Sequence, residues 1–353
     1  MKKFLLLSLL AVSTLNLSTQ AQEKDPPLTI TGSVDAYYKY DFSGHNNIPT
    51  SFASDHNSFS IGMVDLALKK KVGKAAFVGE VSFGPRNDQS LPVATNHIQN
   101  LYVSYDVTDN FNLTGGYMGT FVGYEVINAA GNFNYSTSYL FTNGPFQNAG
   151  VKATFTFSPK ASLMVGAFND QWNVYKAVNN IGLFGAQLML APVEGWTAYI
   201  NLLTGKNKTA TSGTVIDITT AYQITKAFKL GLNAADYSAS EGASGSPTVV
   251  GTGGYQGIAL YPQLAVSESV TLGLRGEYFK VKTGTYATAF GPAPGNSVTA
   301  LTVTANVKAG PLVLIPEVRF DNNKDLATSA FTNGSGAQTK SASQFVLAAV
   351  YSF

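Results

Sequence analysis

The feature of this sequence that most restricts its fold is an alternation of apolar and polar residues that recurs along almost the whole chain. Between residues 30 and 42 the even-numbered residues are apolar or aromatic apart from one glycine, and the odd-numbered residues are mostly polar or charged; we call such a set of alternate residues a parity. Because successive side chains of a β-strand point to opposite faces, this segment predicts a strand with one apolar and one polar face. The pattern returns in sixteen segments between residues 29 and 353, which predicts an all-β protein.

The connections between these segments are alternately short and long. Seven are tight, such as those at Val72-Gly73 and Asp109-Asn110, and eight are long and rich in Gly, Ser, Asn and Thr. No stretch after residue 21 approaches the ~18–20 apolar residues of a membrane-spanning helix. Outer-membrane barrels have short periplasmic turns and long extracellular loops. The pattern therefore predicts a transmembrane antiparallel up-and-down β-barrel of about 16 strands, within two.

Aromatic residues on the apolar faces collect at both ends of the predicted strands. At the tight-turn ends they are Phe111, Phe157, Trp196, Phe228 and Phe353, and at the long-loop ends Phe42, Phe83, Phe121, Phe184, Tyr278, Phe320 and Phe345. A bilayer with two interfaces selects two such belts, whereas a soluble β-sandwich buries its aromatic residues in mid-strand. We therefore expect the apolar faces to contact lipid.

One predicted strand interrupts the alternation. In the segment 58–70 the apolar parity changes after Met63, so that Phe59 and Ile61 belong to one parity and Leu66 and Leu68 to the other. An extra residue in one strand shifts its parity in this way, and we therefore predict a β-bulge in this segment.

The N-terminus has the form of a secretory signal. Lys2 and Lys3 precede an apolar stretch, and Thr19-Gln20-Ala21 has the small-x-small pattern of a cleavage site. We expect residues 1–21 to be removed, residues 22–28 to be a short lead and residues 29–353 to form the barrel. The mature chain would then carry 21 basic and 21 acidic residues. Export to the bacterial outer membrane follows, and a last strand that ends in Phe353 is similar to the signal that barrel-assembly machinery reads.

A family resemblance is carried by residues 115–150. A glycine-rich strand leads into Thr120-x-x-Gly-x-Glu125. This motif is followed by Asn132, by a Tyr-Ser-Thr-Ser run that begins at Tyr135, and by Pro145-Phe146. This succession resembles the OmpL-like porin family of outer-membrane barrels, over about a tenth of the chain. The family often has basic residues at three positions that differ in this chain, namely Tyr117, Thr137 and Asn148.

The resemblance also bears on the longest loop, 122–148, which is the third long loop. In many 16-stranded porins the third loop folds into the lumen and forms the constriction. By that similarity Glu125, Asn132 and Tyr135 are candidate constriction residues. Alternatively, Glu125 is a loop carboxylate that is solvated or hydrogen-bonded to backbone.

Charges on the polar faces are predicted to line a lumen, because Lys or Arg facing lipid at mid-bilayer costs roughly 2–4 kcal/mol. Six are acids and six are bases, which favours a water-filled interior over a dry one. Arg275 with Glu277, and Glu317 with Arg319, are expected to form ladders that either fix the barrel shape or set a transverse field. The twelve predicted pore-lining residues are Asp35, Lys39, Asp41, Glu80, Lys152, Asp217, Lys229, Arg275, Glu277, Lys308, Glu317 and Arg319.

Other classes of function find little support in the composition. The chain has no cysteine and three histidines, so no thiolate site or histidine metal cluster is expected, and no cofactor motif is present. Basic and acidic residues nearly balance, which argues against nucleic-acid binding. His45, His56 and His97 fall in or beside loops without a nucleophile elbow, so an outer-membrane hydrolase is a weak alternative. A secreted or surface β-rich adhesin without a channel is the other alternative.

The sequence thus predicts an outer-membrane porin, not an enzyme, for passive diffusion of small hydrophilic solutes. The expected partners are outer-membrane lipid, the barrel-assembly machinery, the solutes and, in a homo-oligomer, other copies of the chain. Because the inward charges balance, weak ion selectivity is expected, with a lean toward cations if Glu125 enters the pore.

Overall fold

The computed structural model describes residues 26–48, 50–90, 97–205, 213–239, 252–286, 288 and 290–353. The predicted signal peptide, residues 1–21, lies outside the described residues, as does most of the lead. Among the described residues, no helix is long and apolar enough to cross a membrane.

Sixteen long strands form the wall of one closed barrel. They are β1 (Thr29–Asp41), β2 (Ser58–Val72), β3 (Ala75–Phe83), β4 (Ile98–Thr108), β5 (Phe111–Gly119), β6 (Gln147–Ser158), β7 (Ala161–Asn169), β8 (Ile181–Leu190), β9 (Trp196–Gly205), β10 (Gly213–Gln223), β11 (Phe228–Ala239), β12 (Gly254–Ala265), β13 (Val270–Val281), β14 (Ser297–Ala309), β15 (Leu312–Asn323) and, after a short hairpin, β18 (Ser341–Ser352). The predicted all-β antiparallel barrel is confirmed.

The remaining elements are short and lie in the long loops. They are α1 (Pro85–Ser90), a 3-10 helix (Ala129–Gly131), α2 (Tyr139–Asn143) and the hairpin of β16 (Phe331–Thr332) and β17 (Gln338–Thr339).

Every strand pairs antiparallel with its neighbours in the chain, and β1 closes the barrel by pairing with β18. Ser33 lies opposite Ser352, and the backbone groups of Gly32 and Phe353 exchange two hydrogen bonds of 3.0 Å each. Closure leaves no strand edge exposed, so every strand can satisfy its backbone groups inside the membrane.

The tight turns place glycine where the chain needs a left-handed residue. Gly73, between β2 and β3, has φ 55°, and Gly310, between β14 and β15, has φ 63°. A side chain is strained at such angles, whereas glycine adopts them without penalty. These short turns hold adjacent strands in register at one end of the barrel, which we call the tight-turn end; the other is the long-loop end.

The predicted β-bulge lies in β2. The register with β1 shifts between Val34 and Ala36, so that Gly62 and Met63 together face Asp35. The Met63 N–H donates to Asp35 Oδ1 at 3.0 Å. A Cβ on Gly62 would lie 1.7 Å from Asp35 Oδ2, so only glycine permits this close approach. The parity change in the sequence therefore marks a real insertion that positions an inward carboxylate.

The outward face is apolar and its aromatic residues are mostly exposed, as the belts predicted. Phe42, Phe157, Phe184 and Phe353 each expose more than half of their surface. The prediction is wrong for Phe121, which lies beyond the end of β5 and packs inside the barrel against Phe168, with ring centroids 5.8 Å apart. Tyr117, on the predicted apolar face of β5, is buried as well and donates to the Asn173 carbonyl at 3.3 Å.

Candidate functional site

The third long loop, residues 122–148, crosses the inside of the barrel; we call it loop 3. It leaves the wall at β5, returns at β6, and contacts inward side chains of β1, β2, β10 and β13–β15 on the far side. Within the loop, Asn128 caps the 3-10 helix and Ser138 caps α2, where its hydroxyl accepts the Phe141 N–H at 3.0 Å. The chain therefore presents a compact, hydrogen-bonded segment to the lumen.

Glu125 is held by an arginine of the wall. Its Oε1 lies 2.8 Å from Arg275 Nη1, and its Oε2 accepts the backbone N–H and the hydroxyl of Ser138, both at 2.7 Å. Arg275 also donates to the Ser136 carbonyl at 2.5 Å. Both charged side chains are buried. Glu125 is therefore neutralised, and it offers no free negative charge to a passing ion.

Two wall carboxylates accept backbone N–H groups of loop 3. Glu277 on β13 accepts from Tyr139 at 3.0 Å and Leu140 at 2.9 Å. Glu317 on β15 accepts from Tyr135 at 3.0 Å and Ser136 at 3.2 Å, and it also bonds the Ser136 hydroxyl. Charge-assisted hydrogen bonds are about twice as strong as neutral ones, so these acids fasten the loop.

Arg319 on β15 makes a further contact between the barrel wall and loop 3. Its guanidinium forms a bidentate pair with Asp321 at 2.8 and 3.0 Å and donates to the Thr137 carbonyl at 2.7 Å. The Tyr139 hydroxyl donates to the same Asp321 at 2.7 Å, and the Tyr139 ring lies 5.0 Å from the guanidinium carbon. The expected pairs of Arg275 with Glu277 and of Glu317 with Arg319 are therefore wrong. Among the described residues, Arg275 pairs with Glu125 of loop 3, and Arg319 pairs with Asp321, two residues further along β15.

Tyr135 anchors the middle of loop 3. Its hydroxyl donates to Asp35 Oδ2 at 2.5 Å, and its ring stacks under Arg86, which also lies over Phe52. Burial raises the pKa of the Tyr135 hydroxyl; Arg86 opposes this and Asp35 adds to it, so the hydroxyl stays protonated and remains a donor. Asn132 has another role: its side chain bonds the N–H and carbonyl of Val126, at 2.9 and 2.7 Å, and closes a turn of the loop.

The twelve inward charges divide into a buried and an unburied group. A water-filled interior was expected to solvate these charges, but eight of them are buried among polar partners: Asp35, Lys39, Asp41, Asp217, Arg275, Glu277, Glu317 and Arg319. Lys39 donates to Asn46 at 2.9 Å, for example, and Asp217 accepts the Gly123 N–H at 3.0 Å. Glu80, Lys152, Lys229 and Lys308 are at least partly exposed.

The unburied lysines line the cavities beside loop 3. A cavity of about 530 Å³ is lined by Lys229 and Lys308, and one of about 510 Å³ by Lys152. Tyr124 and Ala221 line both cavities, so the two adjoin. None of the three lysines forms an ion pair with a described residue, whereas Glu80 accepts a hydrogen bond from Asn100 at 2.7 Å. The free charge beside loop 3 is therefore mainly positive.

The long-loop end of the interior is packed with aromatic side chains. Tyr237 has ring centroids 5.8 Å from Trp172 and 5.3 Å from Tyr255, and Phe279 lies 5.5 Å from Tyr255. These side chains are buried in one cluster with Tyr139 of loop 3. Sequence analysis did not predict this cluster, and Trp172 comes from a loop after β7, where strand parity does not apply.

Two further contributors to the site were missed. Arg86 comes from α1, in a loop without periodic signal, and nothing in the sequence indicates its contact with Tyr135. Asp321 lies two residues after Arg319 on the same inward face, so parity could have revealed it. Among the residues that the structure describes, no group of three or more His, Cys, Asp or Glu could hold a metal ion.

A closed sixteen-stranded barrel with an apolar outer face, inward charges and a loop across its interior defines a channel protein of the outer-membrane porin class. Residues 27–353 match the family described as beta-barrel porin-2, OmpL-like, and the chain belongs to that family. The resemblance carried by residues 115–150 thus extends to nearly the whole chain.

Solved porin structures share this fold. The outer membrane channel DcaP of Acinetobacter baumannii is 15% identical, with a TM-score of 0.62 over 92% of this chain and 97% of that chain. The anion-selective porin from Comamonas acidovorans is 13% identical, with a TM-score of 0.59 over 93% and 99%. The trimer form of OmpT from Vibrio cholerae is 14% identical, with a TM-score of 0.55 over 93% and 99%. No curated protein matches the sequence.

Proposed function

We propose that this outer-membrane porin is a passive diffusion channel for small hydrophilic solutes, with loop 3 as its constriction. The observation that carries the proposal is the attachment of loop 3 to inward side chains of β1, β2, β10 and β13–β15, beside adjoining polar cavities. Glu125, Asn132 and Tyr135 act in this proposal by holding the loop in shape. Loop 3 and the aromatic cluster both narrow the interior, so we expect a small conductance for a sixteen-stranded barrel.

Ion selectivity is proposed to be weak and to lean toward anions. A cation preference would require a free Glu125 carboxylate, and Arg275 pairs with that carboxylate. Of the twelve predicted inward charges, Lys152, Lys229, Lys308 and Glu80 are unburied, and together they carry a net charge of +2. Only charges within ~8–10 Å of the path act at ordinary salt, so this small excess sets the preference.

The selectivity proposal is tested by the reversal potential of the channel in a salt gradient across a planar bilayer. Wild type is expected to favour anions slightly. Lys229→Glu together with Lys308→Glu changes the net unburied charge from +2 to −2 and is expected to give a cation preference. Lys160→Glu with Lys226→Glu, in tight turns outside the lumen, is the charge-matched control and should change selectivity little. A cation-selective wild type would contradict the proposal, and an absence of conductance would contradict the channel itself.

A solvated route beside loop 3 also predicts a labelling pattern. Single cysteines at Ser104, Thr154 or Lys229, which are inward and half-buried, should react with small water-soluble thiol reagents in the folded barrel. Cysteines at the outward Leu272 or Leu314 should be shielded by lipid. The rates are measured in proteoliposomes by mass shift. Equal rates in both groups would contradict the assignment of the faces.

We further propose that residues 1–21 are a cleaved signal peptide, with Gln22 the first mature residue, and that the tight-turn end faces the periplasm. Recognition by barrel-assembly machinery through the strand ending in Phe353, and a homo-oligomeric state, belong to the same proposal. N-terminal sequencing of the outer-membrane protein, protease shaving of intact cells and native mass spectrometry of the purified protein test these points.

We also propose that the chain is not an enzyme. His56 accepts the Asp41 N–H at 3.0 Å, and the His97 ring packs 4.4 Å from that of Phe83, so both are engaged in structural contacts. A conductance that survives His45→Ala, His56→Ala and His97→Ala together supports the channel as the function. Turnover of an ester or peptide that the triple variant abolishes would contradict it.

A further inference from the structure

The cavity of about 530 Å³ beside loop 3 has the size of a small-molecule site. It lies between loop 3 and the inward faces of β10–β15 and β18, toward the tight-turn end of the barrel, and we call it the loop 3 cavity. Its lysines are enough to bias the passage of ions. Its aromatic and aliphatic lining has no part in ion selectivity and requires another explanation.

Two rings of loop 3 lie against inward glycines of the wall. A Cβ on Gly231 of β11 would overlap the Tyr124 hydroxyl, and a Cβ on Gly273 of β13 would overlap the Phe133 ring. A side chain at either glycine would therefore push the neighbouring ring away. The wall thus sets the positions of both rings at the edge of the cavity.

Further contacts hold these rings and still leave part of each open to the cavity. Tyr124 stacks on Tyr261 of β12, with ring centroids 4.4 Å apart and an angle of 21° between the planes. Asn306 of β14 donates to the Phe133 carbonyl at 3.0 Å. Tyr124 and Phe133 are half-buried and line the cavity. A planar ligand can therefore pack on rings that are already in place, which lowers the entropic cost of binding.

The positive charge of the loop 3 cavity lies at its tight-turn side. Lys229 is the second residue of β11, and Lys308 is the second-last residue of β14. Neither has an ion pair or hydrogen bond with a described residue, so each ammonium group keeps its three donors. Among the described residues that line the cavity, the only carboxylate is Glu125, which Arg275 neutralises. This side of the cavity can therefore accept a carboxylate.

Another side of the cavity is aliphatic. Val313 and Ile315 of β15 and Val350 of β18 line it. A polyhydroxylated ligand would lose water there without gaining hydrogen-bond partners, whereas an apolar body gains from leaving water. A small inorganic anion would make no use of this surface.

We propose that the loop 3 cavity binds one aromatic carboxylate. Its ring packs beside Tyr124 and Phe133. Its carboxylate accepts hydrogen bonds from Lys229 and Lys308. The proposal rests on the diffusion channel proposed above and names a class of solute that this channel retains during passage. Such binding must be weak enough for release, so the solute crosses with saturable flux.

The test is a planar-bilayer recording of the full mature chain in chloride, in which a bound solute blocks the current. Benzoate is the probe. Its block is expected to saturate, with a half-blocking concentration about tenfold or more below that of acetate, because the ring gains from burial. Benzamide lacks the charge and glucuronate lacks the apolar ring, so both should block less than benzoate. Ligand-observed NMR of benzoate with the protein in detergent measures the same binding without any current.

Variants separate the two halves of the site. Phe133→Ala should reduce the preference for benzoate over acetate about threefold or more, because only benzoate contacts the ring. Lys229→Gln with Lys308→Gln should weaken the block by both acids. Lys160→Gln with Lys226→Gln removes equal charge from tight turns outside the lumen and should leave the block unchanged. Heat-modifiable migration on SDS gels verifies that each variant is folded.

Several results would overturn the proposal. Equal block by benzoate and acetate would show that the lining does not recognise a ring, and equal block by benzamide would show that the lysines take no part. Glucuronate that blocks as well as benzoate would assign the cavity to sugar acids. In these cases the blocked current itself shows that the channel conducts, so the proposed function stands. A protein that carries no current contradicts the proposed function instead, and the NMR titration then decides whether the site exists.

Discussion

Replacing Glu277 and Glu317 together by alanine is expected to raise the single-channel conductance roughly twofold or more, because the barrel itself is wide enough for an aqueous channel. Four backbone N–H groups of loop 3 lose their acceptors, and each hydrogen bond to a charged group contributes about 1.5–3 kcal/mol. Arg275 and Arg319 keep Glu125 and Asp321 as partners, so the double change leaves no buried arginine without a carboxylate.

Planar-bilayer recordings of single channels measure this effect. Glu194→Ala with Glu268→Ala, in tight turns away from the lumen, removes the same number of carboxylates and is expected to leave the conductance unchanged. If the Glu277 and Glu317 variant conducts like wild type while it is folded, loop 3 is not the constriction.

Arg319→Ala is expected to destabilise the docked state of loop 3 by about 3–5 kcal/mol, because it leaves Asp321 as a buried carboxylate without its cation. The Thr137 carbonyl also loses its donor. Urea unfolding in detergent, combined with limited proteolysis at loop 3, measures the loss. Arg319→Met with Asp321→Asn removes both charges and should recover part of it.

The matched comparison is Lys71→Ala, which removes one partner of an ion pair with an exposed lysine. Exposed pairs contribute little because water already solvates both charges, so no measurable change is expected. Equal urea midpoints for Arg319→Ala and Lys71→Ala would mean that the buried pair does not stabilise the loop.

Most of the fold could be predicted from the sequence because lipid imposes a simple rule on a barrel. Every second residue must be apolar wherever the wall meets the bilayer, so each strand shows an alternation in the sequence. The tight turns interrupt this alternation, and the bulge at Gly62 shifts it by one residue. The rule ends where the strand ends, which is why Phe121 was misplaced: β5 stops at Gly119, and the next residues turn into the lumen.

The site could be predicted only in part. Parity placed Arg275, Glu277, Glu317 and Arg319 on inward faces but could not reveal their partners, which lie far away in the sequence. Glu125 and Arg275 are 150 residues apart, and Thr137 and Arg319 are 182 apart. The equal numbers of acids and bases also predicted no net charge in the lumen. They could not show that eight of the twelve side chains are buried, which leaves three lysines and Glu80 unburied.

The way in which Glu277 and Glu317 hold loop 3 has a consequence for how this loop can diverge. Their oxygens bind mainly main-chain N–H groups, which every residue except proline possesses. Substitutions at these loop positions therefore keep the main-chain bonds to Glu277 and Glu317, although those at Tyr135 and Tyr139 lose the side-chain bonds to Asp35 and Asp321. A change to either wall acid removes two main-chain bonds at once. Loops that line the pore differently can thus evolve while these hydrogen bonds to the wall stay the same. Proline is the substitution that the bonds exclude at Tyr135, Ser136, Tyr139 and Leu140, because it has no N–H group.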